Sequence, residues 1–394
     1  MSNPIEWSPE DDWAAVEKGE PHSIEAIYQE QRGRCPVAWR GFEDGQGFWS
    51  VFDYEEVVAV LSNPQLFSSA KPKYGMALIP IELDPPEHGK YRALLAQLIN
   101  PGRMKRFEGD IRAFIRTKLA AVMAGETDLL AVTAAIPIQS FCMLVGDDDP
   151  DNWNAISAKR EESNDPRLAL MDPATVAKRI AANQPLVDYC AAQIKAHRAE
   201  PKDDIVSDIL AGTVDGRPVN DDEALRLLSL IYIAGHRTTT AALRGSVVQL
   251  ARTTGLQDRL RTDSPKIPAA VEEIIRVETP IHGLPRYATE DTVIGEKAIK
   301  AGEQVFPNFG AANLDPTIFP DPAVIDLERK PVRHVGFGRG IHICAGAPLA
   351  RLQLRVFIEE LLAATLSFQL TGPITRMTWP HYGPTSLPVD LVWR

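Results

Sequence analysis

The chain has 394 residues, 44% of them hydrophobic, with 42 basic against 53 acidic side chains and a formal net charge of -11. That balance allows a sizeable globular core and argues against a nucleic-acid surface, because no cluster of basic residues offsets the acidic excess. Met1 to Glu20 carries Glu6, Glu10, Asp11, Asp12 and Glu17 without an apolar segment, and no later stretch is long and uncharged enough to span a bilayer, so a cytoplasmic protein without leader or anchor is expected.

No internal repeat, low-complexity tract or Gly/Ser linker divides the chain, and its 31 prolines are spread as punctuation between elements, so a single domain over 1–394 is expected. In chain order, Phe48 to Phe52 reads as a strand. Apolar residues three and four apart predict helices over Pro85 to Ile99, Phe107 to Met123 and Val176 to Arg198. The stretches Ser68 to Pro80 and Asp165 to Pro185 hold no clear period and read as mobile covers over a pocket. A long helix is predicted over Asp221 to Arg252, opened by Asn220 as a cap with Glu223 three residues on. Its middle, Ala234-Gly235-His236-Arg237-Thr238-Thr239-Thr240, is weak, since Gly and consecutive β-branched residues have poor helix propensity and invite a bulge where a small ligand can reach the backbone. Further helices follow at Pro268 to Glu278 and Ala345 to Ala364. Between them lies a hairpin-like stretch from Thr292 to Phe306, and Leu387 to Trp393 closes the chain as a strand.

The four cysteines, Cys35, Cys142, Cys190 and Cys344, lack the paired spacing of a zinc site or disulfide scaffold. Cys344 differs from the rest by its setting, Gly336-Phe337-Gly338-Arg339-Gly340-Ile341-His342-Ile343-Cys344-Ala345-Gly346, a glycine-rich turn ahead of an amphipathic helix. Unsatisfied N–H groups and the positive dipole end at a helix start favour thiolate over thiol. Glycines let the backbone fold tightly under a flat ligand.

This loop resembles the haem-ligand signature of the cytochrome P-450 family, Phe-Gly-x-Gly-x-His-x-Cys-x-Gly, at every fixed position from Phe337 to Gly346. The resemblance implies haem b (iron protoporphyrin IX) with Cys344 as its axial thiolate and metal ligand, a ligand that pushes electron density toward iron. It implies the mainly α fold of that family, a triangular helical prism around haem with a small β region. His88 and Arg92, four residues apart and so on one helix face, match the family's Pro-Glu-His-x-x-x-Arg stretch beside the haem propionates, and Arg286 and His342 match two further propionate contacts. Glu273 and Arg276, with Phe319-Pro320-Asp321-Pro322 and Arg329, match the family's structural lock rather than a catalytic pair.

In the long helix the family has Ala/Gly-Gly-x-Asp/Glu-Thr-Thr, whose acid and first threonine manage protons for oxygen activation. Thr238 matches the threonine, while Arg237 stands where the acid belongs and cannot cycle a proton. Three readings stay open. His236 or ordered water could carry protons with Thr238, since imidazole titrates in the useful range. Arg237 could pair with a substrate carboxylate, as in the resembled fatty-acid peroxygenase branch, although that branch has a proline where Thr238 stands. Arg237 could also be structural, facing an acidic neighbour.

The resemblance thus implies a monooxygenase that inserts one atom of O2 into a small hydrophobic substrate by hydroxylation or O-dealkylation. Met76 to Pro80 and Gly383-Pro384-Thr385-Ser386-Leu387-Pro388 look similar to a bacterial branch acting on monoterpenoids and small aromatics. With no fused redox segment in the chain, it implies a monomer reduced by a separate ferredoxin and ferredoxin reductase drawing on NAD(P)H, with Arg333 and Arg339 meeting an acidic ferredoxin. A peroxide-driven or carboxylate-selective oxygenase using Arg237, or a non-catalytic haem-thiolate sensor or carrier, are the alternatives.

Overall fold

Helices form where the apolar spacing predicts them. In the computed structural model, which describes residues 24–394 apart from 42–46, 71–75, 148, 150, 152–153, 157, 159–172, 331–332 and 378, the first half carries α1 (Ile24–Arg34), α2 (Tyr54–Ser62), α3 (Glu87–Leu98), α4 (Glu108–Met123), α5 (Leu129–Val145) and α6 (Pro173–Ala199). The second half carries α7 (Asp221–Gly235), α8 (Arg237–Arg252), α9 (Ile267–Glu278) and α10 (Ala347–Ala364). Shorter helices are named by their residues. α3, α4, α6, α9 and α10 match the expected spans to within a few residues. Helix α5 has no counterpart in the sequence reading, because it is apolar on every side and shows no single stripe. Its residues Val132, Ile136, Phe141, Leu144 and Val145 are all buried.

The long helix expected over Asp221 to Arg252 is two helices. Asn220 caps α7 as predicted: its side-chain oxygen accepts from the Glu223 N–H at 2.9 Å, and the Glu223 carboxylate accepts from the Asn220 N–H at 3.0 Å. The break falls at His236, whose φ of -83° and ψ of -68° separate α7 from α8. The weak Gly-His-Arg-Thr stretch therefore ends one helix and starts the next, a fuller interruption than a bulge.

The β region is small. A five-stranded sheet has the order β1 (Val37–Gly41), β2 (Gly47–Val51), β9 (Gln304–Pro307), β6 (Arg286–Ala288) and β3 (Phe67–Ser68), with numbering by chain position. Only the β2 to β9 pairing is parallel. Two-stranded units join β4 (Thr213–Val214) to β5 (Arg217–Pro218), β7 (Thr292–Ile294) to β8 (Lys297–Ile299), and β10 (Thr365–Leu370) to β11 (Val389–Trp393). The stretch Thr292 to Phe306 is thus one hairpin, β7 with β8, followed by a strand of another sheet. The turn at Gly302, with φ 85°, sends β9 away so that Val305 and Phe306 are buried beside β2. Of the two expected covers, residues 165–172 and 71–75 lie outside the described residues, and 173–185 is the first part of α6. Among the described residues no helix is long and apolar enough to cross a membrane.

The chain from β9 to α10 is tied to α9 by one buried guanidinium. Arg276 is 0% exposed and uses all five N–H donors: two to Glu273 at 2.8 Å each, and three to the carbonyls of Asn313 at 3.0 Å, Pro322 at 2.6 Å and Val324 at 3.0 Å. Arg329 Nε adds a contact to Glu273 at 3.1 Å. Removing one partner of such a pair strands a buried charge, so Glu273→Ala is expected to cost about 3–5 kcal/mol in denaturant unfolding. A loss under about 1 kcal/mol would show that the pair does not hold this segment.

Candidate active site

The loop ahead of Cys344 folds as its glycines dictate. Gly338 and Gly340 take φ of 70° and 69°, and a Cβ on Gly340 would lie 2.5 Å from the Leu61 carbonyl oxygen, so α2 sits against a backbone that only glycine permits. The Cys344 N–H donates to the Phe337 carbonyl at 2.8 Å and closes the loop. Gly346 caps α10, which places Cys344 two residues ahead of the helix cap rather than within the helix. Burial pushes the Cys344 thiol up, while hydrogen bonds from the Gly346 and Ala347 backbones and the charges of Arg92 and Arg351 favour its thiolate. The sulfur is unbridged and opens on a cavity of about 690 Å³.

Four predicted residues converge on that cavity. His88 and Arg92 come from α3, Arg286 from β6 and His342 from the cysteine loop. The rings of His88 and His342 meet edge to face with centroids 4.4 Å apart. Burial, with Arg286, His88 and Arg92 nearby, pushes His342 down to about 3, and burial lowers Arg286 to about 10. Burial and the charge of Arg92 lower His88 as well. Among the described residues Asp84 is the one carboxylate that acts on His88 and Arg286, and it is already engaged by Ser68 and by the Ser69 N–H at 2.9 Å. His342 Nε2 is buried without a hydrogen-bond partner among the described residues. Buried cationic and imidazole groups left this short of anions are costly unless a carboxylate-bearing group joins them. A cavity with a thiol at one wall and this cluster beside it fits an iron porphyrin with two propionates.

His236, Arg237 and Thr238 line the same cavity at the α7–α8 break. The Thr238 hydroxyl donates to the Ala234 carbonyl at 2.8 Å, spanning the break. A Cβ on Gly235 would meet nothing within 4 Å, so the groove beside the break is open. The His236 ring stacks on Tyr232, with centroids 6.1 Å apart and planes 16° apart, and Tyr232 meets Phe141 of α5 edge to face at 5.2 Å. Phe141, Tyr232, Leu230, Ile281, Leu284 and Trp379 form apolar wall that the sequence reading missed. Phe141 was hidden because α5 shows no stripe, and Ile281, Leu284 and Trp379 because they lie in irregular chain. The expected covers contribute Met76, Leu78 and Pro80 from the first, and Ile180, Asn183 and Gln184 of α6 from the second.

Known proteins resemble this chain in sequence and in fold. The cytochrome P450 family model matches residues 155–373. Linalool 8-monooxygenase of Pseudomonas putida is 31% identical, over 90% of this chain and 91% of that protein. Erythromycin C-12 hydroxylase of Saccharopolyspora erythraea is 34% identical, over 82% of this chain and 83% of that protein. The crystal structure of CYP109E1 from Bacillus megaterium in complex with testosterone superposes with a TM-score of 0.84 at 29% identity, covering 97% of this chain and 99% of that one. With the cysteine loop, the cationic cluster and the broken helix in place, the chain belongs to the cytochrome P450 family of haem monooxygenases.

Proposed function

We propose that the protein inserts one oxygen atom from O2 into a small hydrophobic terpenoid or aromatic substrate, by hydroxylation or O-dealkylation, with electrons passed from NAD(P)H through a ferredoxin reductase and a ferredoxin. The observation that carries this reading is that one mostly apolar cavity holds Cys344, the anion-poor cationic cluster and the α7–α8 break together. Bound haem supplies the oxygen-activating redox chemistry.

The chain's own residues do the rest. Cys344 would be the axial ligand, and His88, Arg92, Arg286 and His342 would hold the propionates. Because the Thr238 hydroxyl hydrogen is committed to Ala234, its oxygen is left to accept from water, and a proton passes only when that bond to the carbonyl is exchanged. His236, two residues earlier and on the same cavity, would renew that proton directly or through water. The apolar walls hold the substrate and keep bulk water from the reacting bond.

Arg237 favours a second reading, a substrate that bears a carboxylate. It opens α8, where the helix dipole disfavours a cation by about 0.3–1 kcal/mol, and it lines the cavity. An anionic substrate group there would meet both the guanidinium and the helix N-terminus.

Docking of the electron donor is supported by charge. Arg112, Arg116 and Arg355 are tied to Glu108, Glu359 and Glu360, whereas Arg333 and Arg339 are exposed with no ion pair among the described residues. These two, on and just ahead of the cysteine loop, would steer an acidic ferredoxin.

Optical titration of the ferric protein with neutral terpenoids and aromatics, each matched to its carboxylate, separates the two substrate readings. Neutral ligands are expected to shift the spin state equally in wild type and Arg237→Ala; a response confined to carboxylates and lost in Arg237→Ala would transfer the assignment to an acid-binding oxygenase. Cys344→Ser is expected to abolish the long-wavelength ferrous–carbonyl band that marks thiolate ligation, and a retained band would reject Cys344 as ligand. Thr238→Ala is expected to lower product formed per NAD(P)H consumed by roughly tenfold or more without changing substrate affinity; unchanged coupling would remove Thr238 from proton delivery. Neutralising Arg333 and Arg339 should slow reduction by ferredoxin and leave substrate affinity alone, and unaltered reduction kinetics would reject that docking face.

A further inference from the structure

Glu272 neighbours the lock glutamate on α9, yet its carboxylate serves another cluster. It accepts from Arg351 Nε at 2.7 Å and Nη2 at 2.9 Å, and from His334 Nε2 at 3.2 Å. The Gly336 N–H donates to His334 Nδ1 at 3.1 Å, which makes Nδ1 the acceptor and leaves the ring hydrogen on Nε2. A neutral imidazole therefore satisfies both contacts, and the cluster's formal charges are one carboxylate and one guanidinium. Burial alone would raise the Glu272 carboxyl, but hydrogen bonds from His334 and Arg351 outweigh it and hold it down at about 2.

The cluster reaches the cysteine loop at two points. The Arg351 guanidinium lies over the Phe337 ring at 4.4 Å from its centroid, and the Phe337 carbonyl accepts the Cys344 N–H. His334 holds Gly336, where a Cβ would strike the Ile275 side chain of α9 at 2.8 Å. The charge of Arg351 acts on Cys344 itself. None of the three side chains takes part in the Arg276 lock.

We propose that Glu272 is a positioning residue: paired with Arg351, it sets how much positive charge the Cys344 thiolate feels, and so sets the balance between ferric and ferrous iron. The inference rests on the reading that Cys344 ligates haem. A cation near the thiolate stabilises the state carrying one more electron, and the Glu272 carboxylate tempers that cation. Removing the carboxylate frees the full charge of Arg351; removing the guanidinium leaves the carboxylate uncompensated. The two changes therefore act with opposite sign, although each disrupts the hydrogen bonds between Glu272 and Arg351. A purely mechanical clamp would respond to both in the same direction.

The test is the ferric/ferrous midpoint potential of the haem-loaded Glu272→Gln, Arg351→Gln and double variants. Arg351 is 45% exposed, so solvent screening limits the effect. Glu272→Gln is expected to shift the equilibrium toward ferrous by about threefold to tenfold, tenfold being about 59 mV for one electron, and Arg351→Gln toward ferric by a similar factor. The double variant is expected to return to within about twofold of wild type. Shifts of the same sign, or none, overturn the proposal. Should Glu272→Gln fail to take up haem, Arg351→Lys against Arg351→Gln carries the same test: a potential kept by Lys and lowered by Gln supports it, and equal potentials overturn it. The wild-type ferrous–carbonyl band is read first. Its absence overturns the functional reading and this inference with it; its presence with same-sign shifts overturns this inference alone.

Discussion

The fully buried Arg276 guanidinium constrains everything that follows it in the chain. A cation removed from water is tolerated only when every donor is matched, and here each of the five finds an acceptor. Three of those acceptors are backbone carbonyls at Asn313, Pro322 and Val324, so satisfying one side chain fixes the path of irregular chain that has no ladder of its own to fix it. The constraint then passes on. The Asn313 side chain donates to Thr279 at 2.8 Å and accepts from the Val335 N–H at 2.7 Å. Val335 is two residues before Phe337, whose carbonyl holds Cys344. The position of the sulfur is thus referred back to α9 through a chain of hydrogen bonds, and the glycines of the loop let the backbone follow it.

Buried charge is handled in two contrasting ways. At the Glu278–Arg376 pair the account is closed within the protein: the guanidinium meets the carboxylate at 2.6 Å, lies 3.9 Å from the Tyr382 ring centroid, and Gln249 adds a hydrogen bond at 2.6 Å. At His88, Arg92, Arg286 and His342 it is left open. The folded chain brings these four together with one shared carboxylate, Asp84, acting on two of them. Such an arrangement costs stability in isolation and becomes favourable when an anionic cofactor group arrives. The contrast between the two clusters, more than the presence of any one residue, separates a ligand site from ordinary structural pairing.

Much of this was legible in the sequence, and the failures have physical causes. Helices α3, α4, α9 and α10 carry a buried stripe, so their period betrays them, and the Asn220–Glu223 cap announces its helix. The cysteine loop was legible because its glycines and cysteine sit at spacings that little else requires. Helix α5 was not, since Leu129–Val145 is apolar all round and contains Pro137. That the Thr292 to Phe306 stretch ends in a strand of another sheet is not legible in the sequence, because pairing between β9 and β2 joins residues about 250 positions apart and leaves no local trace. Glu272 was invisible for a related reason. It stands beside Glu273 on the same helix, and only the folded chain shows that one faces the lock and the other the cysteine loop.

The α7–α8 break joins two demands that pull against each other. Opening the helix beside Gly235 makes room for a small molecule next to the backbone, and the Thr238 hydroxyl bridges the gap to Ala234 so that the break stays ordered. The same break makes Arg237 the first residue of a new helix, where its charge adds to the positive end of the dipole instead of opposing it. An acid at this point would be stabilised by that dipole and would exchange protons; a guanidinium is destabilised by it and exchanges none. The position thus offers no proton chemistry, and the guanidinium it carries lines the cavity. In the proposed function, proton delivery at this turn would run through Thr238 with His236 or water, and a negative charge on the substrate would be drawn to the residue between them.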